Sequence, residues 1–305
     1  MADLSIGFAT FVMEDPETGV APSWASTREA ALLAEQHGFD TFWIPDELVW
    51  ENEEKQRVAG WWECVAISAA TAEATSTIAI GTWVLSALHR GPGITVKAIE
   101  TIDEISSGRT IFGLGAGHSA RQGAMFGYPP DRVVGRYEDA LEIVVPLLRD
   151  GHANHDGPYH SADRQPNRPR GPQGSEMPLM LAGHGPRTIG LAVKYGDIWS
   201  GYATSSSQPE AFQDMIDLVD RTCEEQGRDP STLGRSMGVG VAAPGREIGP
   251  MWADSSPIVG SSEEIAETLL AFHAMGFTSI ELCIDDDPAE AIPALAEAVA
   301  IVKDA

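Results

Sequence analysis

Apolar strand-like segments alternate with amphipathic helical segments along the whole chain. The strand-like segments are 4–11, 39–45, 77–84, 109–115, 177–182, 197–202, 235–243 and 278–284. The segments with helical spacing are 24–37, 61–75, 94–106, 131–149, 186–195, 208–227, 262–275 and 288–303. Strands that alternate with helices pair in parallel through right-handed crossovers, and eight such units are typical of a closed barrel. The sequence therefore predicts an α/β fold, a (β/α)8 TIM barrel.

No break in composition or linker divides the 305 residues into the two halves of a doubly wound sheet. We predict one barrel domain over 1–305, with short irregular insertions at about 151–176 and 244–257. Chemistry in such barrels takes place at the carboxyl ends of the strands. Candidate functional residues are therefore those that directly follow the predicted strands.

The chain is strongly acidic, with 45 Asp and Glu against 20 Lys and Arg and a net charge of −25. This charge argues against nucleic acid and anionic membrane surfaces as partners, because both carry negative charge themselves. The chain begins MADLSIGF, without a basic leader, and no apolar run approaches the ~18 residues of a membrane helix. We expect a cytoplasmic protein, and both adaptation to high salt and ordinary acidity remain open.

Neither the cysteines nor the histidines form a pattern typical of a metal site. The cysteines are odd in number, far apart and without C-x-x-C spacing, which indicates reduced thiols: Cys64, Cys223 and Cys283. Three histidines lie in a loop that contains glycine and proline, without a shared helical face: His152, His155 and His160. No lysine follows a predicted strand, which argues against a Schiff-base lyase. We expect no metal.

Two glycine-rich turns, within 109–127 and 177–200, each connect an apolar strand to a helix. Glycine allows backbone N–H groups to approach an anion, and the helix N-terminus adds a positive dipole end. In the second turn Pro186 suits the first helical position and Arg187 adds positive charge, which favours a phosphate site over a turn without a ligand. The first turn lacks the last glycine of a dinucleotide-binding fingerprint.

Asp46 and Glu47 follow the second predicted strand and are candidate catalytic carboxyls. Two adjacent carboxyls can have different pKa values, so that one remains an acid near neutral pH. Neighbouring side chains on a strand point in opposite directions, so we expect one of them to face the cavity. His118, after the fourth strand, is a candidate proton donor. Helix capping or solvation is the alternative for all three.

Several segments, in their order and spacing, resemble the bacterial luciferase-like family of flavin- and deazaflavin-dependent oxidoreductases. They are HGFDTFWIPDE, TIAIGTWVLSALHRGPG, IDEISSGRTIFGLGAGHS, AMFGYP, HDGPYH, PLMLAGHGPRTIGLAVKYGDIWS and VGSSEEIAETLLAFHAMGF. The resemblance implies a luciferase-like (β/α)8 barrel that holds FMN or the deazaflavin coenzyme F420 at its C-terminal mouth. It also implies a homodimer.

The resemblance assigns cofactor-binding roles to three stretches of the chain. The cofactor phosphate would contact the turn after the fifth strand, at Ala182, Gly183, His184, Gly185, Pro186 and Arg187. The ring or the ribityl chain would lie beside Ala116, Gly117 and His118. A non-prolyl cis peptide between Trp83 and Val84 would form a bulge behind the ring. Of Trp50 and Trp83, we expect one to stack on a flat ring or to exclude solvent.

The chain departs from the family pattern at two positions. Members often carry His after the Asp that ends the second strand, where this chain has Glu47. An acidic residue common shortly before the fourth helix is replaced around Gln122 and Gly123. The proton-transfer candidates are therefore Asp46, Glu47 and His118, and the substitutions are compatible with a different substrate.

The leading hypothesis is an oxidoreductase that transfers a hydride between coenzyme F420 and a small organic substrate, because the bulge at Trp83–Val84 favours a deazaflavin. The alternative is an FMN-dependent monooxygenase that uses reduced flavin and oxygen, supplied by a separate reductase. A non-catalytic cofactor-binding protein is the alternative from another class, and Glu47 in place of the customary His favours it.

Overall fold

The fold is a closed barrel of parallel strands surrounded by helices, in a computed structural model that describes residues 4–15, 17–52, 57–117, 120–252 and 254–305. In chain order the strands are β1 (Ser5–Ala9), β2 (Thr41–Ile44), β3 (Val49–Asn52), β4 (Arg57–Gly60), β5 (Ala79–Thr82), β6 (Leu85–Ser86), β7 (Thr110–Gly115), β8 (His152–Asp156), β9 (Ser161–Pro166), β10 (Leu179–Ala182), β11 (Ile198–Tyr202), β12 (Gly234–Gly240) and β13 (Ser279–Cys283). The barrel order is β1-β2-β5-β7-β10-β11-β12-β13, and β13 pairs with β1. The predicted (β/α)8 barrel is confirmed.

The helices follow the predicted segments closely. They are α1 (Trp24–Gln36), α2 (Cys64–Ala74), α3 (Pro92–Ser106), α4 (Ala120–Met125), α5 (Val133–Asp150), α6 (Pro186–Tyr195), α7 (Gln213–Gln226), α8 (Ser262–Ala274) and α9 (Pro288–Asp304). Side-chain caps fix where some of them begin: Ser261 and Glu264 form a reciprocal capping box at α8. Within the described ranges, no helix is long and apolar enough to cross a membrane.

Three short elements lie outside the predicted pattern. Strands β3 and β4 form an antiparallel hairpin directly after β2, in a region expected to be a loop. Strands β8 and β9 form a second hairpin, so the predicted insertion at 151–176 is ordered rather than irregular. The short helix α4 follows β7. The first hairpin and α4 both lie after the carboxyl ends of barrel strands, where they contribute to the candidate site.

Buried acids of α3 attach the insertion at 151–176 to the barrel. Glu100 Oε1 and Oε2 accept hydrogen bonds from Asn167 Nδ2 and from the Gly171 N–H, each at 2.5 Å. Asp103 accepts two hydrogen bonds from Gln173, from its side chain at 2.7 Å and from its N–H at 3.0 Å. Because each buried carboxylate has donors, the insertion is held in one position on the helix layer.

Two apolar clusters occupy the two sides of the barrel wall. The larger one packs between the strands and the helices, and the smaller one fills the barrel interior around Trp43. Trp43 lies directly over Gly7 of β1 and Gly81 of β5, and a Cβ atom at either glycine would overlap the indole. The barrel interior is therefore filled at the level of Trp43, and the residues beyond it, toward the carboxyl ends of the strands, are the candidates for a ligand site.

Candidate active site at the barrel mouth

A carboxyl group lies inside the barrel on β13. Glu281 is 0% exposed, and its Oε1 accepts hydrogen bonds from Ser236 Oγ (2.7 Å) and Ser279 Oγ (2.6 Å). Its Oε2 and Trp43 Nε1 approach each other beside Gly7, and neither reaches hydrogen-bond geometry with a described residue. Burial raises the pKa of Glu281 to about 7, although the serines and the nearby indole act in the opposite direction. This carboxyl was not among the sequence candidates.

Asp46 is buried at the end of β2 and is held by several donors. Its Oδ2 accepts from the Ser86 N–H (2.9 Å), from His89 Nδ1 (3.2 Å) and from Arg90 Nη1 (2.7 Å), and its Oδ1 accepts from Arg90 Nη2 (2.9 Å). Burial alone would raise the pKa of Asp46, but the hydrogen bonds from His89 and Arg90 and the charge of Arg90 outweigh it and lower that pKa. Arg90 also pairs with Glu63. Asp46 therefore stays ionised.

Glu47 is half-buried and faces the short helix α4. Gln122 of α4, 4% exposed, donates from Nε2 to Glu47 Oε2 (2.8 Å) and to the Val49 carbonyl (2.7 Å). The next residue of the chain toward the N-terminus, Arg121, pairs through Nε with Glu51 of β3 at 2.5 Å. The loop after β2 and the loop after β7 are thus joined through α4.

The predicted non-prolyl cis peptide between Trp83 and Val84 is present directly after β5. The Val84 side chain packs against Gly113 and Gly115 of β7, where a Cβ atom would come within 3.0 Å and 2.8 Å of it. Trp83 is half-buried and crosses the barrel to lie over Gly238 of β12. The bulge and the glycines of β7 therefore form one wall of the mouth.

The loop after β7 is described only as far as Gly117. Ala116 and Gly117 are half-buried, and a Cβ on Gly117 would come within 2.5 Å of Ser86 Oγ. Ser86 is the residue whose N–H binds Asp46, so this loop and the end of β2 are neighbours. His118 lies outside the described residues, and its role stays a prediction.

The turn between β10 and α6 has the geometry of an anion site. Strand β10 ends at Ala182, Gly185 is the helix N-cap, and Pro186 is the first helical residue. In the described part of the chain, the N–H groups of Arg187 and Thr188 have no acceptor, and the space around Gly185 is open. Two free donors at the positive end of a helix dipole are the donor set that binds phosphate.

His184 and Tyr202 connect this turn to the bulge across the mouth. The Tyr202 N–H donates to His184 Nε2 at 2.9 Å, so the hydrogen of the neutral imidazole is on Nδ1. Desolvation lowers the pKa of His184, which keeps the ring neutral at pH 7. The Tyr202 ring is 5.9 Å from that of Trp83, edge to face. Nδ1–H of His184 is an additional donor at the same turn, and Arg187 pairs with Glu138 of α5.

His155 and His160 belong to the second hairpin, and Trp50 belongs to the first. His155 Nε2 is 2.7 Å from Asp139 of α5, which also binds the N–H groups of Tyr159 and His160 and so anchors the second hairpin. Within the described ranges, no group of three or more metal-ligating side chains is present. Trp83 lies over Gly238 inside the barrel, whereas Trp50 is 44% exposed on β3, and the expectation that one of them stacks on a flat ring stays a prediction.

The structure brings together the sequence candidates of four loops: Asp46 and Glu47 after β2, Trp83 and Val84 after β5, Ala116 and Gly117 after β7, and the turn from Ala182 to Arg187 after β10. Sequence reasoning missed the residues that hold them, namely Ser86, His89, Arg90, Gln122 and Tyr202. The sequence HRGPG carried a signal for two of these, since His89 and Arg90 directly precede the N-cap of α3. The contacts of Gln122 had no local signal.

Comparison with known proteins places the chain in a family. A family model described as luciferase-like monooxygenase matches residues 4–244. A 5,10-methylenetetrahydromethanopterin reductase of Archaeoglobus fulgidus is 28% identical over 196 residues, which are 64% of this chain and 54% of that relative. The chain spans between 54% and 63% of the length of three such reductases.

Solved structures share the whole barrel at low sequence identity. An F420-dependent secondary alcohol dehydrogenase, solved with an F420–acetone adduct, has a TM-score of 0.77 at 19% identity, covering 96% of this chain and 99% of that one. A riboflavin lyase with modified FMN and riboflavin has a TM-score of 0.77 at 16% identity, covering 95% and 90%. These likenesses show the fold, and the family model extends over most of the barrel. The chain belongs to the luciferase-like monooxygenase family.

Proposed function

We propose that this chain is an oxidoreductase that binds coenzyme F420 or FMN at the C-terminal barrel mouth. With F420, it transfers a hydride to or from a small organic substrate. The observation that carries the proposal is the unused donor set at the start of α6, on the same mouth as the Trp83–Val84 bulge. A relative named F420-dependent glucose-6-phosphate dehydrogenase, from Amycolatopsis mediterranei and 28% identical over 219 residues, supports this choice of cofactor.

The residues at the mouth fit a phosphorylated flavin-type cofactor. The N–H groups of Arg187 and Thr188 and the Nδ1–H of His184 are available for its phosphate and the adjoining chain. Val84, Gly113 and Gly115 offer an apolar, closely packed wall for a flat ring. The donors would bind the phosphate end of such a cofactor, and the flat apolar wall would contact its ring.

The chain contributes placement and proton transfer to the reaction. When bound, the deazaflavin would supply or accept the hydride. Asp46 stays ionised and, through Arg90 and Ser86, fixes the loop after β2. Glu47, beside it, would exchange a proton with the substrate. Trp83, which is half-buried and packs edge to face against Tyr202, would cover this side of a bound ring.

We also propose the domain organisation, the oligomeric state and the location of this protein. The chain works as a single barrel domain and as a homodimer in the cytoplasm, on a small-molecule substrate. If FMN is the cofactor, a separate reductase supplies it in reduced form and oxygen is the second substrate. The family name supports this FMN-dependent alternative, which the first experiment distinguishes.

The test is a parallel fluorescence and absorbance titration of the purified chain with F420 and FMN, in low and in high salt. Preferential binding of F420 supports hydride transfer, and preferential binding of FMN supports the monooxygenase. Binding without turnover on a panel of carbonyl and alcohol substrates would favour a non-catalytic cofactor-binding protein. If neither cofactor binds, the proposal is wrong.

The Arg187→Glu variant tests the phosphate site itself. A negative charge at the start of α6 is expected to weaken binding of the phosphorylated cofactor about tenfold or more, since a hydrogen bond to a charged group contributes ~1.5–3 kcal/mol. Arg221→Glu, on the exposed surface of α7, changes the net charge equally and is the matched control. Riboflavin, which lacks the phosphate, should bind both variants alike. Equal losses for FMN and riboflavin would contradict a phosphate site at this turn.

A further inference from the structure

We infer that Glu281 and Trp43 form a pH-sensitive contact inside the barrel, in which ionisation of the carboxyl creates a hydrogen-bond acceptor for the indole N–H. The two side chains belong to β13 and β2 and meet in the barrel interior below the mouth. The contact uses a buried acid that has no part in the proposed reaction, so the inference goes beyond the proposed function and holds for either cofactor.

Two buried polar atoms without partners meet at one point of the barrel interior. A Cβ atom on Gly7 of β1 would overlap both Glu281 Oε2 and Trp43 Nε1. Neither atom has a hydrogen-bond partner among the residues that the structure describes. Glu281 is 0% exposed and Trp43 is 1% exposed, so bulk water does not reach either group. Buried polar atoms that lack a partner are rare and costly, and two adjacent ones therefore call for a common cause.

The other oxygen of the carboxyl determines where the proton of the neutral acid lies. Glu281 Oε1 accepts hydrogen bonds from Ser236 Oγ at 2.7 Å and from Ser279 Oγ at 2.6 Å. Because these two donors occupy the lone pairs of Oε1, the acid proton is on Oε2. The O–H group of Glu281 and the N–H group of Trp43 are then two donors that face each other, and no hydrogen bond forms between them. The neutral acid accounts for both unpartnered atoms.

Loss of the acid proton turns Oε2 from a donor into an acceptor. An ionised carboxylate only accepts hydrogen bonds, and the Trp43 N–H beside it has no other described acceptor. A hydrogen bond to a charged group is about twice as strong as a neutral one, so the indole stabilises the carboxylate where water cannot. Burial raises the pKa of Glu281 to about 7, against the opposing effects of the two serines and of this indole. Both forms of the contact are therefore populated near neutral pH.

The ionisable groups around Glu281 do not replace it in this role. Strands β1 and β2 contain no ionisable side chain. Arg235 of β12 pairs with Asp220 of α7. Asp40, directly before β2, raises the pKa of Glu281 through its charge and pairs with Lys303 of α9 at 2.6 Å. Burial raises the pKa of the Cys283 thiol, which keeps it neutral across the same pH range.

The indole connects this contact to the wall of the mouth. Trp43 belongs to the interior apolar cluster against which Trp83 and Val84 pack, and these two residues form the bulge after β5. At low pH the interior below the bulge contains a neutral acid and an unpaired indole N–H. At high pH it contains a negative charge that this N–H binds. The barrel interior below the mouth thus has two states, and the pH sets their proportion.

The test follows the indole N–H signals of the protein without cofactor, labelled with nitrogen-15 in tryptophan, by NMR between pH 5 and pH 9. The Trp43 signal is assigned by its absence in Trp43→Phe and should shift with a midpoint near pH 7, as the hydrogen bond forms. In Glu281→Gln the Trp43 signal should stay constant, because an amide does not ionise. The Trp199 N–H donates to the Gly183 carbonyl at 2.8 Å and is the control signal in the same spectrum.

Carbon-13 labelling of the glutamate carboxyls follows the same event from the other side of the contact. The Glu281 midpoint should coincide with that of the Trp43 N–H. Trp43→Phe should raise the Glu281 midpoint by about one pH unit or more, since it removes a donor to the charged form, and Trp199→Phe is the matched control. If Trp43→Phe does not fold, the comparison of the unmodified protein with Glu281→Gln still decides. A Trp43 signal that stays constant while Glu281 titrates, a shift that persists in Glu281→Gln, or a Glu281 carboxyl that does not titrate in this range would each overturn the inference.

Discussion

The Glu281 carboxyl inside the barrel should make the stability of this fold depend on pH, and Glu281→Gln isolates that dependence. The pKa of Glu281 is about 7 in the folded chain, against 4.5 for an unperturbed glutamate. The difference corresponds to about 3 kcal/mol, at ~1.4 kcal/mol for each pH unit. The cause is burial, because the desolvation of the carboxylate outweighs the opposing effects of Ser279, Ser236 and the nearby Trp43 indole.

The pKa of Glu281 is higher in the folded chain than in the unfolded chain, so ionisation of this carboxyl destabilises the fold. The stabilisation from the neutral acid is complete below pH 4.5 and is lost as the pH rises through 7. Above pH 7 the carboxyl is ionised in both states, but water hydrates it only in the unfolded chain. The free energy of unfolding is therefore lower there. Glutamine has nearly the same shape and can still accept from Ser236 and Ser279, but it cannot ionise.

The assay is urea unfolding at pH 5, 6, 7 and 8, followed by circular dichroism. Relative to the unmodified protein, Glu281→Gln should gain stability as the pH rises, by roughly 2 kcal/mol or more between pH 5 and pH 8. Glu267→Gln, exposed on α8, makes the same change in net charge and controls for the strong acidity of the chain. A stability difference that is constant across this pH range would refute the reasoning.

Two further substitutions test the packing beneath the site. Arg90→Leu leaves the buried Asp46 without its cation and should cost ~3–5 kcal/mol in urea unfolding; a loss below ~1 kcal/mol would show that Arg90 does not hold the carboxylate. Gly7→Ala places a Cβ where the Trp43 indole and the Glu281 carboxyl lie and should cost ~1–3 kcal/mol. Gly135→Ala in α5, where a Cβ makes only ordinary contacts of 3.6 Å or more, should not destabilise the fold. Equal losses of thermal stability for the two variants would contradict the close packing around Trp43.

The barrel could be predicted because its signal is local and repeated. Each buried parallel strand is a short apolar run, and each helix has an apolar face. The alternation of strands and helices can therefore be recognised even where the predicted end of an element is misplaced. The hairpins could not be predicted in the same way. Strand β8 reads HANHD and β3 reads VWEN, and such short polar strands on a surface lack both an apolar run and a regular alternation.

Some residues of the candidate site could also be predicted from the sequence, and others could not. Asp46, Glu47 and the turn at 183–187 could be found because each directly follows a strand, and the fold determines that strand ends meet. Their partners could not, since Arg90 reaches Asp46 over 44 positions and Gln122 reaches Glu47 over 75. The sequence did not indicate Glu281 as a buried carboxyl for another reason. It lies within an apolar run, where a single acidic residue is usually interpreted as facing outward.

The glycines around Trp43 limit which substitutions this barrel can accept during evolution. The indole occupies volume that Gly7 and Gly81 leave vacant, so the three positions share one volume and cannot vary independently. A larger side chain on β1 or β5 is accommodated only when position 43 becomes smaller. Such an exchange would change the height of the indole inside the barrel without altering any loop, so Gly7 and Gly81 of the barrel wall limit how deep a ligand could reach.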